Sequence, residues 1–471
     1  MSDAAKSLMD HDRAFLIAPA GCGKTQTIAE MVALSTQGVQ LILTHTHAGV
    51  QSLRNRLNRL KVNRKCYELD TIAGWALRIV NHYPQTADFV KRIPEKDDYP
   101  KIYMGAVTVL CHRFMQRVVQ ESYSGVIVDE YQDCTKSQHE LILVLAGMLP
   151  CRILGDPLQG IFNFGKNDLP VDWELDIRPH FESVEQLREP YRWQGKNEQL
   201  GAWLLSVREK LERGDPISWE ASTLRWKQSS DSCNRETCFS AIREEGTIVA
   251  IHPDGSNPHG CHRLAQQLKG NYQSIEPMEA GDLMAWAGKL DSASGNQRAM
   301  RIIEFAAACI TAVSTSLKTI KDKFEISGTP DFSRVTRHAD IALKLVSVAR
   351  QTGFNGFVEI LRLIHKIDNA HLYRADLWYG MLNALKLYSM GEYPSLKDAA
   401  WHSRQREKFA GRREFPRIVS RTLLIKGLEY DHAIVLDADK FNVKNLYVAL
   451  TRGSHSLTII SSEPRLSPQR G

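Results

Sequence analysis

The stretch Ala18-Pro19-Ala20-Gly21-Cys22-Gly23-Lys24-Thr25 decides the reading of this 471-residue chain. An apolar run, Phe15 to Ile17, enters it, and a helix-compatible run with Thr27, Ile28, Ala29, Met31 and Val32 leaves it. Strand, small-residue turn and helix in that order make a phosphate-binding loop. Small residues let backbone N–H groups curl around a polyphosphate, and the helix start adds partial positive charge. Lys24 is placed to reach the terminal phosphates and the Thr25 hydroxyl to hold Mg²⁺. The chemistry expected is binding of a nucleoside triphosphate.

Length and composition bound the rest. A chain of 471 residues suggests roughly three domains. Hydrophobic content of 43% and charged content of 24% suit a soluble globular protein, and a net charge of +6 permits nucleic-acid binding without arguing for it. The start, Met1 to Arg13, carries Asp3, Lys6, Asp10 and Asp12 and is no secretory signal; the apolar run Ile302 to Ile310 is broken by Glu304 and too short to span a bilayer. A cytoplasmic protein with no membrane partner is therefore expected. Nine cysteines with no Cys-x-x-Cys pair suit reduced thiols. His259, Cys261 and His262 match no zinc spacing and read as a solvated loop.

Along the chain, Val39 to Leu43 reads as a buried strand ending at Thr44-His45-Thr46-His47. The next helix has Val50, Leu53, Leu57 and Leu60 on one face and Arg54, Arg56, Arg59 and Lys61 elsewhere, continuing to Arg64 and Lys65. Its basic face is either simply solvated or a strand-binding surface, since ligands of open α/β sheets gather at the carboxyl ends of strands. A section with Pro84, Pro94, Pro100 and one expected helix, Gly105 to Gln120, looks like an insertion.

Val126 to Val128 is a second buried strand and delivers Asp129-Glu130-Tyr131-Gln132-Asp133. Asp129 is suited to the Mg²⁺ shell and Glu130 to polarising the water that attacks the γ-phosphate. A third strand, Arg152 to Leu154, leads to Gly155-Asp156-Pro157-Leu158-Gln159, where Gln159 is placed to sense the γ-phosphate. Phe162 and Phe164 follow, as core residues or as stacking faces for bases.

This ordered set resembles the UvrD/Rep branch of superfamily 1 DNA helicases. The second half adds Leu187 to Arg192, Lys426-Gly427-Leu428-Glu429-Tyr430 and Asn445 to Arg452. The resemblance implies a nucleotide site for ATP and Mg²⁺ formed by Ala18, Ala20, Gly21, Cys22, Gly23, Lys24, Thr25, Gln26 and Gly427, with Tyr191 beside the adenine and Glu429 at the ribose. It implies catalytic roles for Lys24, Asp129, Glu130 and Gln159 from the first domain and for Arg192 and Arg452 from the second, and Mg²⁺ held by Thr25 and Asp129. It implies contacts to single-stranded or tailed DNA from Thr44, His45, Thr46, Arg54, Arg56, Trp75, Phe162 and Phe164. Some family features are missing: no Gln precedes the phosphate loop to read adenine, His47-Ala48 replaces an Asn-Lys pair, Gly165 an Arg, and Leu423 a His.

Thr247 to Ile251 reads as a further strand, Ser229 to Glu236 as a loop, and the region from about Glu279 to Phe409 as wholly helical, with Arg298 to Phe324 one of its helices. A basic segment, Arg404 to Arg421, lines a nucleic-acid channel or forms a solvated hinge. The expected fold class is α/β, with two RecA-like P-loop domains on parallel sheets, each carrying a helical insertion. The expected divisions are 1–184 with a small insertion at about 77–123, 185–278, a helical insertion 279–409, and 410–471. The leading expectation is a 3′ to 5′ translocase or helicase on single-stranded DNA. The alternative is a DNA- and nucleotide-sensing ATPase that regulates a separate nuclease of the OLD family, as in Gabija-type antiphage systems, because no room for a nuclease domain follows Arg452.

Overall fold

The computed structural model describes residues 3–35, 38–89, 96–162, 168–253, 259–277, 281–326, 330–351, 353–410 and 413–467. The fold class is α/β, as expected, with two six-stranded sheets. The chain divides into two compact units. The first comprises residues 1–224, 441–456 and 465–471; the second comprises 225–440 and 457–464.

In the first unit the strands are β1 (Arg13–Ile17), β2 (Gln40–Thr44), β3 (Tyr67–Thr71), β4 (Gly125–Val128), β5 (Cys151–Gly155) and β6 (Glu182–Val184). They lie in the order β3-β2-β4-β5-β1-β6, and every neighbouring pair is parallel. Every residue of β2, β4 and β5 is buried, as expected of strands covered by helices on both faces. Their carboxyl ends therefore open onto one edge, and β4, β5 and β1 are consecutive there. The three loops singled out in the sequence thus emerge side by side.

One face of this sheet is covered by Lys24–Leu34 and His47–Arg59, whose Ile28, Val32, Leu53 and Leu57 share a core with Leu16, Ile42 and Leu154. Leu60, expected on that packed face, caps the helix and is exposed. The other face carries the insertion between β3 and β4. The single helix expected there is two, Tyr99–Leu110 and Arg113–Ser122. Extended backbone at His112 breaks them, and the break turns Met115 and Val119 into the same core as Ile102, Ala106 and Val109.

A short pair joins distant parts of this unit: β7 (Ile217–Ser218) meets the last strand, Arg465–Leu466, antiparallel. The second unit contains β8 (Arg225–Gln228), β9 (Ile248–His252), β10 (Gln273–Ser274), β11 (Arg417–Arg421) and β12 (Tyr430–Val435). With β13 (Gly453–Ser461) they form the order β10-β11-β9-β12-β13-β8. The expected loop Ser229 to Glu236 instead starts a helix, Cys233–Ala241, because Cys233 and Cys238 pack beneath β9.

Between β10 and β11 the chain is helical and has its own core, in which Phe305 and Trp378 stack with centroids 5.9 Å apart. The long helix expected from Arg298 is divided into Gly295–Cys309, Val313–Ser316 and Lys318–Glu325. Ile310 makes an extended bridge to Leu372 and Ala312 takes positive φ, which interrupts the helical hydrogen bonds. Among the described residues, no helix is long and apolar enough to cross a membrane.

Candidate nucleotide site

The loop after β1 begins with the Ala18 N–H donating to Gly155 O (2.9 Å), which ties it to the end of β5. Gly21 and Gly23 have φ of +73° and +92°, a region glycine enters without the steric cost of a Cβ. Close neighbours add a second reason. A Cβ on Gly21 would come within 2.6 Å of the Trp193 ring, and one on Gly23 within 3.0 Å of the Tyr191 ring. Tyr191 thus lies beside this loop, with a half-exposed ring. Gly23 then caps helix Lys24–Leu34.

Lys24 Nζ lies 3.3 Å from Asp129 Oδ1 and also contacts Glu130. Burial works against the ammonium, but Asp129 and Glu130 outweigh it and hold its pKa above the ordinary lysine range. Glu130 sits at φ +56°, unusual for a residue with a side chain, and its N–H donates to Asp129 Oδ1 (2.8 Å). Such backbone conformations cluster at functional sites. Thr25 and the carboxylates supply only hard oxygen donors, the chemistry Mg²⁺ prefers. The residues fit that ion.

Gln159 is buried, and its Nε2 donates to Asp156 Oδ2 (2.8 Å). Gln132, given no role in the sequence reading, bridges two loops. Its Nε2 donates to Glu130, and its Oε1 accepts the Asp156 N–H at 2.8 Å. A second residue the sequence reading passed over is Arg208, buried and 2.6 Å from Asp156 Oδ1. Its signal was present: Arg208 follows Leu204 by four and precedes Leu211 by three, so it interrupts an apolar helical stripe.

Arg192 and Arg452 belong to the same unit as the loop of residues 18–25. The Arg192 N–H donates to Gly21 O (3.1 Å) and its Nη1 to Thr451 O (2.6 Å). Arg452 is buried, with Nε donating to Val448 O and Nη2 to the Thr451 hydroxyl. The adjacent Trp193 indole donates to Gly453 O (2.8 Å). Tyr191 to Trp193 and Thr451 to Gly453 therefore form one hydrogen-bonded block beside Gly21. Cys22 is buried, and burial, with Asp156 nearby, pushes its thiol up to about 12. Gln26 donates to Glu30. Gly427 and Glu429 are exposed and lie in the second unit.

The nucleic-acid candidates are scattered by comparison. Arg54 and Arg56 are half-buried on helix His47–Arg59, and the Thr46 hydroxyl caps that helix by accepting the Gly49 N–H. Thr44 is buried at the end of β2, and His45 Nε2 lies 3.4 Å from Cys134 Sγ. Trp75 is 2% exposed and packs in the core, so its ring supplies packing and offers no face to a base. Phe162 is half-buried, and Phe164 lies outside the described residues.

The helix expected from His262 to Leu268 starts earlier, as His259–Gln267, and takes in the residues read as a loop, with Cys261 and His262 buried against β10 and β11. Among the described residues, His262, Glu276 and Asp282 could offer donors to one metal. Arg374 already supplies the positive charge there, with Nε 2.7 Å from Glu276 and Nη2 on Asp282.

A family profile described as an AAA domain matches residues 2–165. The chain is also similar to solved viral helicases. The arterivirus nonstructural protein 10 helicase is 10% identical over 97% of this chain and 61% of its own, with a TM-score of 0.38. The complex of arterivirus nonstructural protein 10 with DNA is 16% identical over 53% of this chain and 49% of its own, at 0.28. The PRRSV helicase is 12% identical over 98% and 54%, at 0.35. The match thus spans at most about three fifths of each of these chains. No curated protein matches the sequence.

Proposed function

We propose that this chain hydrolyses ATP and couples hydrolysis to movement along single-stranded DNA. The observation that carries the proposal is the meeting of Lys24 with Asp129 and Glu130 at the carboxyl ends of parallel strands, with Gln159 in the loop between them in sheet order. In this reading the phosphate loop holds the triphosphate and Lys24 pairs with its terminal phosphates. Thr25 and Asp129 would hold Mg²⁺, which neutralises phosphate charge when bound. Glu130 accepts the proton of the attacking water, and Gln159 meets the γ-phosphate. Arg192 and Arg452 stabilise developing phosphate charge, a task suited to a cation that stays protonated.

The motif order supports the coupling to DNA and, through its resemblance to the UvrD/Rep branch, 3′ to 5′ polarity. The regulatory alternative adds a separate nuclease and dispenses with strand separation. ATPase assays with and without single strands, paired with displacement on duplexes bearing 3′ or 5′ tails, distinguish the two. A motor shows stimulation and displacement from the 3′ tail; a sensor shows stimulation alone. No stimulation by any single strand would defeat both.

A further inference from the structure

Arg208 is 2% exposed on the apolar stripe of helix Glu198–Arg213. A guanidinium in such a place needs partners to stay charged. Burial alone would lower its pKa, but Asp156, Tyr447 and Glu212 reverse that and hold it above the ordinary arginine range. The partners are not distributed at random. Nη1 donates both to Asp156 Oδ1 (2.6 Å) and to the Tyr447 hydroxyl (3.3 Å), and Nη2 faces Glu212 at 2.8 Å.

Each of the two main partners reaches a different part of the nucleotide site. Asp156 Oδ2 accepts from Gln159 Nε2, which fixes the amide so that its oxygen points away from Asp156. The Tyr447 hydroxyl accepts the Ala20 N–H at 3.2 Å, so helix Val443–Leu450 holds one backbone amide of the phosphate loop. Gln132 extends the path to Glu130. The path runs from the phosphate loop through Tyr447, Arg208, Asp156 and Gln132 to Glu130, with Gln159 as its branch.

We infer that Arg208 is a positioning residue of the nucleotide site, its guanidinium tying Asp156 to Tyr447 so that the Gln159 amide and the Ala20 end of the phosphate loop are set together. The inference rests on the reading of Gln159 as the group that meets the third phosphate. It has a consequence that simple packing lacks. A residue acting through Gln159 affects a bound triphosphate and spares a diphosphate, whereas loss of packing weakens both.

The test titrates ADP and a non-hydrolysable ATP analogue against the full chain and its Arg208→Lys, Tyr447→Phe and Gln159→Ala variants. The triphosphate preference should fall about fivefold in each, the scale of one hydrogen bond, with ADP affinity kept within about twofold in the Arg208 and Gln159 variants. Lysine keeps the charge but lacks the planar fork, and phenylalanine keeps the ring but lacks the acceptor for Ala20. If Gln159→Ala loses the preference while Arg208→Lys and Tyr447→Phe keep it, the inference is overturned and the ATPase reading stands. If Gln159→Ala keeps the preference, the assigned role of Gln159 fails and the inference falls with it. Equal weakening of both nucleotides in the Arg208→Lys variant assigns Arg208 to packing and also overturns it. Should Arg208→Lys lose cooperative unfolding, Tyr447→Phe, which removes a single oxygen, decides.

Discussion

Lys24 Nζ lies 3.3 Å from Asp129 Oδ1, and the same ammonium contacts Glu130, so one nearly buried cation meets two acids from a loop two strands away in the sheet. The proposed function separates two tasks by atom. Lys24→Ala removes the charge offered to phosphate and should abolish nucleotide binding. Glu130→Gln keeps the shape but removes the proton acceptor, so turnover should fall about 10² to 10⁴-fold with binding retained. Near-normal steady-state turnover in the Gln variant would remove Glu130 from the water-activating role.

Gly23 and Gly195 both have positive φ, at +92° and +68°, but only Gly23 is crowded. An alanine at either position meets backbone strain of about 1–2 kcal/mol. At Gly23 the new Cβ also presses on Tyr191, whereas nothing lies within 4 Å of the one at Gly195. Gly23→Ala should therefore lose nucleotide affinity, while Gly195→Ala should lose comparable stability and keep affinity. Denaturant unfolding beside nucleotide titration tests the split, and equal affinities in the two variants would refute it.

The basic face of helix His47–Arg59 tests the nucleic-acid reading. Reversing Arg54 and Arg56 to Glu should weaken single-strand binding and flatten its dependence on log salt, by about 0.7 for each phosphate that is no longer neutralised. The packed side chains Leu53 and Leu57 are untouched, so stability should hold. Affinities measured across a salt series are the check; an unchanged slope would return this face to the role of a solvated surface.

His262 provides a pH signature unrelated to nucleotide chemistry. Burial, with Arg374 nearby, pushes its pKa down from 6.5 to about 3. The native imidazole thus stays neutral where the unfolded one takes a proton. Its contribution is complete above pH 6.5 and is lost as pH falls from there toward 3, by at most about 1.4 kcal/mol per pH unit. Urea unfolding at pH 7, 6 and 5 should show a shallower loss for His262→Asn than for the parent. Parallel losses would show that other groups dominate this window.

What the sequence by itself determined is local. Strands β1, β4 and β5 and the small or acidic turns that follow them were legible because each turn comes directly after a short apolar run, Phe15 to Ile17, Val126 to Val128 and Ile153-Leu154. The helical region between β10 and β11 was legible for a similar reason, since its apolar positions recur at helical spacing. Tertiary structure decided what periodicity cannot encode. The helix breaks at His112 and Ala312 arise because separate segments must turn to reach one core. Trp75, expected from the resemblance to contact DNA, is instead a core ring because packing buries it. Arg208 is the plainest case: along its helix it is a charge in an apolar stripe, and only the fold brings Asp156, 52 residues earlier, and Tyr447, 239 residues later, to its guanidinium. A buried charge takes its meaning from partners, and partners distant in sequence are brought together by strand order and helix packing.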